Sequence, residues 1–172
     1  NIIYRNKSKL NDDIYVTGNL GDSYIGLQIL KNKIKLEKKN RNYFINKYYQ
    51  PNIPITLAKK LLKFANSSID ISDGLITDLE KMINKQNYSY QINEDKIPIS
   101  KSLSRFLKKY KFKKSNLISN GDDYQVLFTA GVNKSRIIAK ISKILRIKIS
   151  KIGKINSCLK KSTITDQKGR QI

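Results

Sequence analysis

Strand-like and helix-like segments interleave along the whole chain, which predicts an α/β (α+β) fold with a mixed β-sheet and packed helices. Three observations carry that expectation. Tyr124–Ala130 (YQVLFTA) is β-branched and aromatic, with Gly121 before it and Gly131 at its end. Asp73–Lys85 and Ser135–Leu145 repeat apolar residues at intervals of three and four, the spacing of an amphipathic helix. Ile147–Ile155 alternates apolar and polar residues, as a half-buried strand does.

The remaining elements follow in order. Ile14–Thr17 (IYVT) reads as a strand stopped by Gly18, and Ile25–Leu30 as a helix capped by Asp22 or Ser23. Lys31–Lys39 is a charge-rich extension, and Tyr43–Tyr49 is an aromatic helix ended by Pro51 and Pro54. Ile55–Ala65 has the spacing of one amphipathic helix. Ser67–Ile71 reads as a strand buried on both sides, Tyr88–Ile92 as an alternating strand, and Leu103, Phe106 and Leu107 begin a further helix. Residues 31–40 and 108–116 read as loops, and no internal repeat is visible. Residues 1–172 form one domain on length. Asn1 in place of Met, and the polar ending Thr165–Arg170, lead us to expect a piece of a longer protein.

Composition narrows the chemistry. The chain has no histidine, which removes the Ser-His-Asp triad, the Cys-His pair and histidine-bound metals. Carboxylates, hydroxyls, Lys, Arg and oxygen-bound hard cations remain. Its one cysteine, Cys158, cannot form an internal disulfide and suits a reducing compartment. No apolar run approaches the roughly 18–20 residues of a membrane span. The net charge of +22 taken alone suggests a polyanion partner. The lysines are scattered, however, and accompany Asn and Ile, a pattern that AT-rich codon usage produces without such a partner. The one dense block, Lys108–Lys114 (KKYKFKK), reads either as a helix end with a linker or as an anion patch.

Against 35 basic residues stand 13 acids, most of them in tight groups: Asp12/Asp13, Asp70/Asp73/Asp78 and Asp122/Asp123. Such groups either pair with surface lysines or hold a divalent cation. Ile69–Leu75 (IDISDGL) places Asp70 on a strand and Ser72-Asp73-Gly74 at a helix N-terminus. Free N–H groups and the helix dipole make that place a phosphate cradle, or Ser72 and Asp73 simply cap the helix. In Ser119–Phe128 (SNGDDYQVLF), successive side chains face opposite ways, so one of Asp122 and Asp123 faces a cleft and the other faces structure. The segment also reads as a plain Asn-Gly turn. Thr17–Gly26 matches no phosphate-loop spacing.

Taken together, Arg5, DIYVTG (13–18), LGDS (20–23), IDISDGL (69–75), IPIS (97–100) and GDDYQVLFT (121–129) resemble the C-terminal portion of the thiamine-monophosphate kinase family. The resemblance covers nearly the whole chain. It implies an aminoimidazole-ribonucleotide synthetase-like C-terminal domain of a two-domain, cytoplasmic kinase. That enzyme phosphorylates thiamine monophosphate to thiamine diphosphate with ATP and Mg²⁺ and dimerises through its N-terminal domain. By the same resemblance Asp70 and Asp73 fall on Mg²⁺ ligands, Ser72 and Arg5 on nucleotide contacts, and Asp122 on a substrate contact. No residue falls on a general acid, base or nucleophile. The family's Glu is Asp122 here, one methylene shorter. With the N-terminal domain and the closing segment missing, the chain alone is expected to be inactive. Three other readings stand beside this one: another ATP-dependent synthetase of the superfamily (selenophosphate or aminoimidazole ribonucleotide synthetase-like), a basic nucleic-acid-binding module, and a folded but inactive remnant.

Overall fold

The computed structural model describes residues 2–166 and 168–171; Asn1, Gln167 in the polar ending, and Ile172 lie outside the described residues. Among the described residues, six strands form one mixed sheet: β1 (Asp13–Thr17), β2 (Ser67–Asp70), β3 (Tyr88–Asn93), β4 (Val126–Ala130), β5 (Ile149–Ser157) and β6 (Thr163–Thr165). Their spatial order is β2-β4-β1-β5-β3-β6, antiparallel throughout except for the parallel pair β3 and β6. The helices are α1 (Asp22–Leu30), α2 (Lys38–Tyr49), α3 (Ala58–Leu61), α4 (Leu75–Ile83), α5 (Lys101–Tyr110), α6 (Ser115–Ile118) and α7 (Ser135–Leu145).

β1 lies inside the sheet and is buried along its whole length. Its alternation therefore divides apolar residues between two cores. Ile14 and Val16 pack with Leu127, Ile152 and the α4 residues Leu75, Leu79 and Met82. Tyr15 points to the other face, where Phe128 meets Leu57, Leu61, Phe64 and the α7 residues Ile138 and Ile141. Tyr15 stacks on Phe128 at 5.2 Å between ring centroids, and Phe64 closes on Phe128 at 5.3 Å. A third cluster joins α1, α2 and α5 through Ile25, Ile29, Phe44, Leu103 and Phe106.

Several local expectations need correcting. The segment 55–65 is not one helix: a 3₁₀ turn (Ile55–Leu57) precedes the four-residue α3, and i→i+3 bonds follow it. Its apolar spacing still serves the core, but Asn66 already joins the sheet through Thr129 O, so the helix has no room to continue. Helices also enter both expected loops, since α2 begins at Lys38 and α5 runs to Tyr110 with α6 beyond it. α5 ends at Lys111 in the left-handed conformation, with Phe112 folded back onto Phe106. Lys114 turns inward to the Glu94 carbonyl at 2.6 Å, so the lysine block is a helix end and connection. α1 is capped by Gly21 at positive φ, not by the side chain of Asp22 or Ser23. β2 is an edge strand rather than one buried on both sides, and Asp70 at its end is exposed. β6 is too short and polar to have been foreseen.

Phe128 is fully buried between two rings. Phe128→Ala should lower stability by about 3–5 kcal/mol through lost burial and the cavity left behind, read as a fall in the urea midpoint at unchanged slope.

Candidate functional site

The two acidic stretches singled out in the sequence meet in space. The β2–β4 ladder, whose last paired residues are Asp70 and Val126, continues past both strand ends. Ile71 N–H donates to Gln125 O (2.8 Å), Tyr124 N–H to Ile71 O (2.9 Å) and Asp122 N–H to Ser72 O (3.1 Å). Two glycines permit this approach. A side chain on Gly121 would run into the Ser72 carbonyl, and one on Gly74 (φ +127°) would strike the Ser119 backbone. Asp70, Ser72, Asp73 and Asp122 thus share one end of the sheet edge. Asp70 and Asp73 are exposed and Ser72 and Asp122 half-buried.

The turn at 72–74 is held from below by a residue the sequence reading grouped with Asp70 and Asp73 but gave no role of its own. Asp78, one turn into α4 and 1% exposed, accepts with Oδ2 from the N–H groups of Ser72 (3.0 Å), Asp73 (2.9 Å) and Gly74 (3.1 Å). The expected phosphate cradle is therefore filled by the protein's own carboxylate, because those amide donors would otherwise be orphans. What the turn offers outward is side chains: the Asp70 carboxylate, the Ser72 hydroxyl and the Asp73 carboxylate. Lys81, one turn further along α4, bonds Asp78 Oδ1 (3.0 Å) and also Asp73 Oδ2. Asp78 was legible in principle, being an acid on the same helical face as Leu75, Leu79 and Met82.

Asp122 and Asp123 differ in burial, but not by strand alternation: β4 begins only at Val126, and Asp122 is half-buried at positive φ (+66°). Asp123 is buried and accepts the N–H of Gly21 (2.8 Å), tying the start of α1 to the lead-in of β4. Burial pushes its carboxyl up to about 7; the Gly21 amide opposes that rise, the neighbouring Asp22 adds to it, and Ser23 opposes it. Asp22 itself accepts from Ser100 Oγ (2.7 Å) and the Tyr43 hydroxyl (2.9 Å). Both acids line a cavity of about 320 Å³ bordered by Lys47, Arg146 and Lys148. None of residues 70, 72, 73 and 122 lines it. Asp12 and Asp13 are structural too: Asp12 binds the Asn66 amide and Lys9 N–H, and Asp13 pairs with Lys151 at 2.6 Å.

Arg5 stands apart from the cluster. It is exposed in a turn, and the nearby Lys7 N–H bonds Ser67 Oγ (2.7 Å), at the opposite end of β2 from Asp70. Among the described residues no group of three or more Cys, Asp or Glu side chains is placed to hold a metal by itself. Two exposed carboxylates do fit a hard divalent cation completed by phosphate oxygens and water, the usual arrangement for Mg²⁺. Asp70 suits that role further because no protein hydrogen bond to its carboxylate is present among the described residues. Also among the described residues, no helix is long and apolar enough to cross a membrane.

No family model matches the chain. By sequence it is 39% identical over 146 residues to the thiamine-monophosphate kinase of Buchnera aphidicola, covering 80% of this chain and 44% of that protein. The chain spans about half the length of the curated relatives it matches. By structure it is similar to a thiamine-monophosphate kinase of Stenotrophomonas maltophilia, with TM-score 0.83 at 24% identity over 99% of this chain and 54% of that one, a likeness in fold. It is also similar to AaThiL complexed with AMPPCP and TMP, with TM-score 0.79 at 26% identity over 99% of this chain and 52% of that one.

Asp78→Ala leaves three amide donors unpaired and should cost about 2–4 kcal/mol in urea unfolding, with faster hydrogen exchange at Ser72, Asp73 and Gly74. For Asp123, the folded chain keeps a proton that the unfolded chain releases between the ordinary value of 3.8 and about 7. Its contribution to stability is therefore complete below 3.8, falls as pH rises through that window, and is level above it. Asp123→Asn should remove that fall, seen by comparing urea midpoints of the two proteins at either end of the window.

Proposed function

We infer, from a chain that belongs to the thiamine-monophosphate kinase family over about half the length of its relatives, that it is the C-terminal domain of an ATP- and Mg²⁺-dependent kinase. That enzyme phosphorylates thiamine monophosphate to thiamine diphosphate. The observation that carries the reading is the convergence of Asp70, Ser72, Asp73 and Asp122 at one sheet edge, from stretches far apart in sequence.

Asp70 and Asp73 hold Mg²⁺ in this reading, and Ser72 between them contacts the nucleotide. When bound, Mg²⁺ screens the phosphate oxygens and supplies the charge stabilisation that phosphoryl transfer between two polyanions needs. The acceptor is itself a phosphate, already ionised near neutral pH, so the chain needs no general base. This agrees with a site built of carboxylates and a hydroxyl in a protein without histidine. Asp122 offers an anion toward the cationic thiamine moiety. Its half-buried carboxylate is positioned by a backbone at positive φ (+66°) and by the Ser72 bond. Arg5 is the second nucleotide contact by resemblance, its exposed guanidinium free to meet phosphate once the rest of the enzyme is present. The remaining half of the enzyme supplies further metal ligands and the homodimer contact, and the assembly works in the cytoplasm, in keeping with an exposed free Cys158.

The test is binding of Mg²⁺·AMPPCP to the chain by calorimetry. Asp73→Ala and Ser72→Ala should each weaken it on the order of tenfold without changing the circular dichroism. Equal affinity in all three proteins would remove the site from these residues. ADP release by the unmodified chain with ATP, Mg²⁺ and thiamine monophosphate should stay at background; steady turnover would show that half an enzyme suffices.

A further inference from the structure

Lys81 is an odd residue to find beside a cation site, and the geometry explains how it comes to be there. Side chains on a helix lean toward its N-terminus, so a lysine in the second turn of α4 reaches back over the first. The N-terminus of a helix carries partial positive charge and disfavours a cation. Among the described residues, Lys81 is held there by two acids: Asp78 Oδ1 at 3.0 Å and Asp73 Oδ2. The two acids differ in freedom. Asp78 is 1% exposed and its other oxygen is committed to three backbone amides, so it cannot follow Lys81 elsewhere. Asp73 is 59% exposed, and Lys81, 38% exposed, is the side chain that bonds it.

We propose that Lys81 is an internal counter-ion for Asp73, anchored on Asp78, which a divalent cation must displace or repel before it can use the Asp73 carboxylate. The inference rests on the reading of Asp73 as a metal ligand. One exposed carboxylate cannot neutralise an ammonium and a divalent ion together at close range. The lysine therefore keeps Asp73 paired while the site is empty and makes it available when Mg²⁺ arrives with its phosphates. The buried Asp78 supplies a fixed resting place, so the ammonium has somewhere to withdraw without leaving the turn. Lys81 thus lowers the affinity of the site for the bare metal, favouring a cation already carrying phosphate over a free one. It is a positioning residue that acts through Asp73.

The probe is Mn²⁺ alone, titrated into the full 172-residue chain and followed by electron paramagnetic resonance. Lys81→Gln should tighten Mn²⁺ binding by roughly five- to tenfold, the effect of removing one nearby screened positive charge. Lys81→Arg should match the unmodified chain, and Asp73→Asn should lose the site. In the unmodified chain, Mg²⁺ should also shift the Lys81 side-chain ammonium resonance in NMR, a readout that needs no substitution. Unchanged or weaker Mn²⁺ binding in a folded Lys81→Gln chain, with Asp73→Asn still losing the site, overturns the counter-ion role and leaves the metal reading standing. Mn²⁺ binding that is indifferent to Asp73→Asn, or absent from every protein, overturns both.

Discussion

One carboxylate sets the geometry on which the rest of this site depends. Asp78 sits inside the α4 core face and gathers three consecutive amide protons on a single oxygen. Backbone donors at a helix start must be satisfied by something, and here they are satisfied from within the same helix. The consequence is a turn whose backbone is closed to ligands and whose side chains are turned outward. Charge-assisted bonds from backbone to a buried acid are among the stronger neutral-to-ion contacts in proteins, so this turn is stiff at the point where stiffness matters. The Ser72 carbonyl left on its other side is then free to accept the Asp122 amide, which brings in the second acidic stretch.

Most of the architecture was legible in the sequence. Segments with a clear period became elements: β1, α4, α7 and β5 lie within a few residues of where alternation or three-four spacing put them. What failed, failed for tertiary reasons. The 55–65 segment has perfectly helical spacing, yet its neighbour Asn66 is captured by β4, and that capture is a long-range bond no local window contains. Asp70 looked buried because Ile69 and Ile71 flank it. Burial of a strand depends on whether it lies inside a sheet, and strand order is not written in one strand's own residues. β6 pairs in parallel with β3 on three polar-flanked residues, too little periodicity to detect.

The site divides along the same line. That Asp70, Ser72 and Asp73 would cluster was readable from their spacing at a strand-to-helix turn. That Asp122 would join them was not, since the joining bond runs between a carbonyl and an amide, groups common to every residue. The glycines were the available signal: Gly74 and Gly121 each face backbone from the other stretch, and a close approach of two chains is what a glycine on each side permits. Asp78 could have been found by asking why an acid sits on the apolar face of an amphipathic helix.

A chain with 35 basic and 13 acidic residues turns the usual reading of acids around. With lysines everywhere, a carboxylate that ends in a salt bridge or a buried amide bond needs no further explanation, and most here do. Asp13 has Lys151, Asp166 has Arg170, Asp22 has two hydroxyls, and Asp123 has the Gly21 amide. Against that background the informative acids are the few left over once lysines have taken their pairs. Asp70 and Asp122 are such acids, on the same edge, with Asp73 between them engaged, among the described residues, by a half-exposed lysine. Grouping these acids on one edge costs less in a strongly cationic protein than in a neutral one, because the attraction of the surrounding positive charge offsets their mutual repulsion. The same field draws in phosphate. In the proposed reading, a divalent cation already bound to phosphate would meet carboxylates for the metal, while the net positive charge of the chain would favour the phosphate oxygens.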